Sequence, residues 1–434
     1  MQQINEGRYS GLTILVLGIL LGVPLGMVYQ LFCGNGIPLM GCITGCFCVV
    51  TASAALMQNC DRKSMIILVI LVLFKLVLTA YQARYKSLPM GGEDWGNYHH
   101  NAQELIASGS FTDYFSSGYD LFSILVALLY DIFGVHTMYI NLFILTSSMI
   151  AARYVFKTAM LLTENDYSSS YLAMIVFFLW PINIIYSVTY LREMPIQMLC
   201  IMAFYFACCY VRGSSLWTLL LAIALAAFAS MMHSGVVMLI PIFLIFIVQS
   251  EKSKNLRLIS GKIFIPLLIA IFLLIFSPLW EVVSTKLGDI SSAENLIHRT
   301  QQFVEEDAKT RYITDMPQDL SGFILQAPLR MVLFAFVPLP WMVYDLSTGF
   351  AMAVDALPQI WVWYRILRLN KMTMGHRSRA YYIMMVLAVL STYLVCGMGT
   401  TAYGNAIRHR AKVVPIIIVF VVGLYSHLQG KKEE

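Results

Sequence analysis

Apolar segments long enough to cross a lipid bilayer recur along the chain, and they constrain its fold more than any motif does. The first, from Gly11 to Leu31, contains no charged residue, and a helix needs about 20 apolar residues to span a membrane. Only 12% of the 434 residues are charged, about half the fraction found in soluble domains. The chain is therefore expected to be an all-α polytopic membrane protein, which excludes soluble enzymes, nucleic-acid-binding modules and secreted disulfide scaffolds.

Twelve segments are predicted to span the membrane as helices. They lie near residues 11–31, 37–57, 64–82, 137–152, 169–187, 194–211, 214–232, 234–250, 262–280, 350–367, 380–398 and 411–428. Two further apolar stretches, 119–134 and 322–344, are short, charged or interrupted by proline, and they are predicted to be interfacial or re-entrant elements packed within protein. One membrane domain over residues 1–434 is the simplest organisation.

The basic residues of the short loops orient these spans, because Lys and Arg collect on the cytoplasmic side. A topology with both termini in the cytoplasm also places the five basic residues between positions 365 and 379 inside. Two large loops then face outward, namely residues 83–136 and residues 281–349, the latter with the proline-rich re-entrant segment. We expect the protein in the cytoplasmic (inner) membrane, with its active site on the outer face.

The first outer loop carries an acidic motif, in which Glu93 and Asp94 precede Trp95, Tyr98 and a predicted helix at 101–107. A carboxylate beside the membrane can accept the proton of an attacking hydroxyl group, which is the role of a general base. The alternative is structural, since Asp94 could instead accept backbone N–H bonds as the N-cap of the helix. The sequence leaves both interpretations open.

A second motif places two charges, Arg192 and Glu193, directly beside an apolar run. Charges at the edge of a membrane segment are energetically costly and often belong to functional sites. The alternative is an interfacial pair that caps the next helix, with Pro195 in its first turn. We favour function because the loop is short and is predicted to lie on the same side of the membrane as Asp94.

A third motif, residues 399–410, ends in two arginines that face outward in the predicted topology. The planar fork of arginine suits a phosphate group, and the phosphate or diphosphate of a lipid is the anion expected at this depth. Arg408 and Arg410 are therefore candidate substrate-binding residues. The alternative is that they anchor the chain to lipid headgroups, as basic residues at interfaces commonly do.

The histidines give weaker signals. His233 joins two apolar spans, and such a histidine is more often an interhelical hydrogen-bond partner than a base; contact with substrate is the alternative. His99 and His100 point to different faces of a helix and have no third ligand at a suitable spacing. No metal site and no cofactor are predicted.

These motifs together resemble the membrane glycosyltransferases of the GT-C fold, in particular the bacterial relatives of dolichyl-phosphate-mannose protein mannosyltransferases. The matching elements are the acidic pair Glu93–Asp94, Tyr98, the helix 102–105 with Gly109, the segment 119–134, the acidic motif 191–193, the turn 338–341 and the closing motif 399–410. The chain departs from the pattern in three ways. It has Glu193 where an aspartate is common, Asp120 where a proline is usual, and three spans before the first loop instead of one.

The resemblance implies a GT-C-like bundle with juxtamembrane helices on the outer face and a sugar donor linked to polyprenyl phosphate or diphosphate. The acceptor would be a glycan, a lipid or a protein. In the family pattern, Asp94 or Glu93 would be the base, Glu193 would assist it, and Arg408 would hold the lipid phosphate. Further candidate substrate-binding residues are Tyr98, Arg192, His233 and Arg410.

Two other functions remain open. The chain could be an O-antigen or exopolysaccharide polymerase, which joins lipid-diphosphate-linked repeat units, and residues 229–235 loosely resemble that class. A flippase or transporter for such lipids would need charged or broken helices around a cavity at the membrane midplane. The predicted spans contain few charges, so this third function is the least favoured.

Overall fold

The computed structural model describes residues 10–34, 36–58, 60–85, 88, 94–108, 120–247, 311–313 and 320–433. Within these ranges the chain is helical and contains no β-strand. Six of the described helices are long and apolar enough to cross a membrane: Gly11–Cys33, Leu39–Met57, Arg62–Tyr85, Glu193–Val211, Ser378–Gly399 and Val414–Lys431. The expectation of an α-helical membrane protein is confirmed, whereas the predicted number of about twelve spans is not.

The described helices are numbered here in chain order. They are α1 (Gly11–Cys33), α2 (Leu39–Met57), α3 (Arg62–Tyr85), α4 (Asp94–Ser108), α5 (Leu121–Phe133), α6 (Ile140–Leu162), α7 (Tyr167–Leu179), α8 (Pro181–Tyr186), α9 (Glu193–Val211), α10 (Leu216–Met232), α11 (Leu239–Ile247), α12 (Leu320–Phe336), α13 (Leu346–Ala351), α14 (Leu357–Asn370), α15 (His376–Gly399), α16 (Tyr403–Ala411) and α17 (Val414–Lys431). A π-helical turn, Met352–Ala356, joins α13 to α14.

Much of both predicted outer loops falls outside the described residues. Glu93 and Gly109 lie there, as does the predicted span 262–280. The two stretches predicted to be interfacial or re-entrant are described in large part. The first is the 13-residue helix α5, and the second is α12 followed by the short 3-10 helix Pro340–Met342.

The chain divides into two compact units, and the division falls inside α6, α7 and α9. The first unit comprises Met1–Asp113, Leu121–Tyr154 and Phe177–Met198, and the second comprises Tyr114–Asp120, Val155–Val176 and Leu199–Glu434. One membrane domain over the whole chain stays a prediction.

Glycines set the packing of α1 on α2 in the first unit. A Cβ atom built on Gly22 would lie 2.6 Å from the backbone of Phe47, and one on Gly26 would lie 2.5 Å from that of Ile43. Such close approach of two backbones is possible only with small residues, as is common between membrane helices. The positions of Gly22 and Gly26 in the sequence therefore determine where α1 and α2 make contact.

The second unit is organised around α12 and α15, which pack along their lengths. A Cβ atom on Gly397 would lie 3.1 Å from the Cβ of Phe334 and 3.3 Å from the carbonyl oxygen of Arg330. This close packing carries Arg330 to the end of α15, where the chain turns through Thr400 into α16. The fold therefore places basic side chains of α12 and α16 in one region of the second unit.

Candidate functional site

Asp94 begins α4 and lies in its first turn, half-buried. The predicted helix at 101–107 is therefore longer than expected and starts at the acidic motif itself. A carboxylate in the first turn is stabilised by the helix dipole, which is compatible with a capping role and with a general base. Asp94 as a base stays a prediction, and Glu93 lies outside the described residues.

Two predicted substrate-binding residues of the first unit lie together. The ring of Tyr98 is buried and packs edge-on against Phe122, with ring centroids 5.0 Å apart. The guanidinium carbon of Arg192 lies 5.5 Å from the centroid of the Tyr98 ring, within the range of a cation–π interaction. The fold thus joins the acidic motif of α4 to the second motif, which lies 94 residues further along the chain.

A row of hydrogen-bonded polar rings lies beside this pair, and no pattern in the sequence predicted it. The Nδ1 of His99 lies 2.8 Å from the hydroxyl oxygen of Tyr130, which lies 3.5 Å from the hydroxyl oxygen of Tyr190. Burial among other tyrosines raises the pKa of Tyr190 well above its ordinary value, so its hydroxyl group stays protonated. The only sequence signal was polar aromatic residues at positions otherwise typical of an apolar core.

Glu193 is the first residue of α9, and its side chain is only 1% exposed. Buried carboxylates are rare, and the N-terminus of a helix is one of the few places that stabilise their charge. The sequence predicted a functional or capping acid at this position, and the structure is compatible with either. Its assisting role stays a prediction.

A small cavity of about 20 Å³ lies at the C-terminal end of α3 and the starts of α4 and α6. Its walls include Gln82, Trp95, Asn141 and Tyr190. This volume accommodates about one water molecule and not a sugar ring. The Oδ1 atom of Asn141, a residue 4% exposed, has no hydrogen-bond partner among the described residues, and a buried acceptor in that state costs about 1–3 kcal/mol.

In the second unit, Arg410 is completely buried on α16. Its guanidinium group donates to the carboxylate of Asp355 and to the carbonyl oxygen of Phe334, and at 2.6 Å to that of Val337. These contacts occupy the fork that was predicted to bind a phosphate. The structure thus gives Arg410 a structural role, and its contact with substrate stays a prediction.

A short piece of the second predicted outer loop is attached to the connection between α15 and α16. The hydroxyl group of Tyr312 donates to the carbonyl oxygen of Thr400 at 2.9 Å, and its backbone N–H donates to that of Thr401 at 2.9 Å. Burial raises the pKa of Tyr312, so it remains a neutral donor. The charges of Arg410 and Arg330 oppose this rise in the pKa but do not outweigh the burial.

The fold brings His233 to the closing motif. The imidazole rings of His233 and His409 have centroids 4.4 Å apart and planes inclined at 62°. The Nδ1 of His233 accepts the backbone N–H of Gly235 at 3.1 Å, and the Nδ1 of His409 lies 3.1 Å from the hydroxyl oxygen of Thr400. The sequence marked His233 and residues 399–410 as separate candidates, and no pattern in it linked them.

Basic side chains outnumber buried acids in this part of the second unit. Arg330, Arg410 and Lys412 are buried, and Asp355 is the single buried carboxylate among the described residues of the unit. Arg408 lies on the same helix as Arg410 and is partly exposed. We refer to the three buried residues Arg330, Arg410 and Lys412 as the basic cluster. A concentration of basic side chains of this kind is typical of binding sites for anions.

No protein family model, curated protein or solved structure matches the chain. The resemblance to GT-C glycosyltransferases therefore rests on the sequence motifs alone. Among the described residues there is no group of three or more His, Cys, Asp or Glu side chains that could hold a metal ion.

Proposed function

We propose that the protein is a glycosyltransferase that moves a sugar from a polyprenyl-phosphate or polyprenyl-diphosphate donor to an acceptor in cell-surface glycan assembly. The observation that carries this proposal is the basic cluster, in which three buried basic side chains accompany the single buried carboxylate among the described residues of the second unit. Burying this charge in a membrane protein is costly unless it serves an anionic ligand or a structural pairing. Asp355 pairs with Arg410, and Arg330 donates to Gln326 and to the carbonyl oxygen of Met398. Several basic side chains in one region suit the phosphate of a lipid.

In this proposal the basic cluster stabilises the leaving group. The acceptor oxygen attacks the anomeric carbon, the bond between that carbon and the phosphate oxygen breaks, and the phosphate leaves with the electron pair. Arg408 lies on the same helix as Arg410, is partly exposed, and would contact the phosphate. Fixed positive charges at a developing anion lower the barrier because they need no reorganisation during the reaction. Arg410 holds its helix in place through Asp355 and the two carbonyl groups.

Asp94 supplies the base of the proposal. The carboxylate of Asp94 accepts the proton that the attacking hydroxyl group loses, a contribution of about 10²–10⁴-fold to the rate. Arg192 and Tyr98, which lie in contact, bind sugar, and Glu193 orients them from the start of α9. No metal ion is required in this scheme.

The topology is part of the same proposal. Twelve spans with both termini in the cytoplasm follow from the positions of Lys and Arg in the short loops. In that arrangement the acidic motif and the closing motif face the outer side of the cytoplasmic membrane.

A repeat-unit polymerase is the second candidate, and the contact between His233 and His409 favours it. The segment around His233 was the part of the sequence that resembled polymerases, and it lies against the helix that carries the arginines. Both functions form a glycosidic bond from a lipid-linked donor. They differ in whether one sugar or a whole chain of repeat units is transferred.

The test is the profile of lipid-linked and surface glycans in cells that lack the protein, complemented with the wild type or with variants. We expect the deletion to remove one sugar or substituent, which the wild type restores and Asp94→Asn does not. Asp131→Asn is the matched control, because it makes the same change at an exposed aspartate of α5, and it should restore the glycan. The membrane content and thermal stability of both variants are measured in parallel.

Two results would overturn the proposal. Full restoration by Asp94→Asn would exclude Asp94 as the base. Movement of a lipid-linked sugar across the membrane without any new glycosidic bond would exclude a transferase altogether. If single repeat units accumulate on lipid and long chains disappear, the polymerase replaces the single-sugar transferase.

A further inference from the structure

Two buried asparagines in the first unit differ in whether their side-chain oxygen atoms accept a hydrogen bond. Asn183 is fully buried; its Nδ2 donates to the carbonyl oxygen of Phe177 at 3.3 Å, and its Oδ1 accepts from Gln197 at 2.9 Å. Asn141 is almost as buried, yet its Oδ1 accepts no hydrogen bond from the described residues. Buried polar atoms are nearly always satisfied in native proteins, so each exception needs a physical reason.

The surroundings of Asn141 indicate what kind of group could satisfy it. The side chain lines the small cavity beside α4, whose walls are formed by apolar and uncharged polar side chains, among them Gln82, Trp95, Thr189 and Tyr190. None of these side chains carries a charge at neutral pH, and an ammonium group or metal ion would therefore find no counter-charge there. The amide oxygen needs a donor, and the cavity, at about 20 Å³, has room for one hydroxyl group.

The wall of the cavity also contains an aromatic ring, which suits the apolar face of a ligand that carries a hydroxyl group. Trp95 follows Asp94 directly in the sequence, and its indole ring is partly exposed. A sugar presents hydroxyl groups at its edge and C–H bonds on its face. Binding sites combine a few placed polar atoms with aromatic surface for ligands of this kind.

We propose that Asn141 is a positioning residue, whose amide oxygen accepts a hydrogen bond from one hydroxyl group of a sugar packed against Trp95. This inference rests on the proposed glycosyl transfer and names the part of the first unit that holds the sugar. The sugar would then lie beside the first turn of α4, where Asp94 begins the helix. The Asn141 oxygen would act through placement of the sugar and would take no proton.

The test uses the same substitution at the two asparagines, with stability and glycan measured together. Asn183→Leu leaves Gln197 without its acceptor, so the melting temperature of the purified protein should fall by several degrees. Asn141→Leu removes an acceptor that no described residue satisfies, so the melting temperature should stay unchanged or rise. In cells, Asn141→Leu should nevertheless reduce the glycan at least about tenfold, the equivalent of one lost hydrogen bond. Asn141→Asp keeps an acceptor oxygen and should restore part of the glycan.

The outcomes separate this inference from the proposed function. If the deletion changes no glycan, the proposed function fails. If the deletion removes a glycan that Asn141→Leu restores in full, the cavity holds at most a water molecule and the inference fails alone. A fall in stability for Asn141→Leu as large as that for Asn183→Leu would likewise overturn it, because Asn141 would then be a structural residue.

Discussion

Arg192 in the first unit and Arg410 in the second carry the same group in different surroundings. Arg410 is completely buried, and Asp355 and two backbone carbonyl groups occupy its fork. Arg192 is partly exposed and lies over the ring of Tyr98. A buried cation needs a full set of partners because its desolvation is costly, whereas a partly exposed one keeps water and can exchange it for a ligand.

The comparison separates two roles that the sequence assigned together. Both arginines were predicted to bind substrate, Arg192 because its charge lies beside an apolar run and Arg410 because the planar fork of arginine suits a phosphate. The structure gives Arg410 the surroundings of a structural group, whereas Arg192 is partly exposed and lies over an aromatic ring. Loss of Arg410 should therefore reduce the amount of folded protein, and loss of Arg192 should reduce activity in a folded protein.

The largest effect is expected for Arg410→Met. This change leaves the Asp355 carboxylate buried without its cation and should destabilise the protein by about 3–5 kcal/mol. The measurement is the melting temperature in detergent together with the amount of protein in the membrane. An unchanged melting temperature would contradict a structural role for this pair.

The double variant with Asp355→Leu sharpens the test, because it removes both charges together. Replacing a buried ion pair with apolar residues is often neutral, so most of the lost stability should return. Any loss of stability that remains in the double variant is due to the carbonyl groups of Phe334 and Val337, which lose their donor. If the double variant recovers its stability and restores the glycan, Arg410 does not contact substrate. If the variant is stable and inactive, the predicted contact gains support.

The pairing of Arg410 with Asp355 also shows which part of the structure the sequence could not predict. The apolar runs predicted the helical membrane class, and the acidic motif predicted a helix at the position of α4. Asp355 lies inside a predicted span, 55 residues before its partner, and periodicity along one helix carries no information about a partner on another. A side chain's neighbours in three dimensions decide whether its charge is structural.

Lys75 illustrates the same limit in the first unit. It lies within α3, which the sequence marked only as an apolar span, and it is 1% exposed. Its ammonium group donates to the hydroxyl group of Ser148 at 3.2 Å and lies 4.9 Å from the centroid of the Phe178 ring. The expectation that the spans carry few charges did not predict that one of them would be fully enclosed. The partners come from helices whose order in space the sequence does not reveal.

An intermediate effect on stability is expected at Arg192. Arg192→Met removes a cation–π contact at a partly exposed site, a loss of about 0.5–1 kcal/mol, so the protein should remain folded. The glycan should disappear all the same if the guanidinium group binds sugar. Arg192→Lys keeps the charge and loses the planar fork, and it should restore the glycan only in part. A glycan unaffected by Arg192→Met would show that the partial exposure of this arginine serves no ligand.

The smallest effect is expected at Asp166. Its contact with His427 lies near water and is ionic only when the imidazole is protonated, in contrast to the buried pair of Arg410 and Asp355. The Asp166 carboxylate lies 3.0 Å from Nδ1 of His427 and accepts hydrogen bonds from Ser169. Burial alone would raise the pKa of Asp166, but these hydrogen bonds outweigh it and hold the pKa below its ordinary value. The stabilisation is therefore present above the pKa of the unfolded chain, about 3.9, and is lost as the pH falls through the lower value of the folded state.

The substitution Asp166→Asn tests the direction of this pH dependence of stability. The wild type should exceed the variant by less than about 1 kcal/mol at pH 6, as is usual for pairs near the surface, and the difference should vanish as the pH falls below about 4. The measurement is the melting temperature of both proteins from pH 6 to pH 3. If the stability difference between the two proteins increased as the pH falls, folding would raise the pKa of Asp166 and not lower it. A difference near neutral pH as large as that for Arg410→Met would mean that exposure to water does not set the strength of ion pairs in this protein.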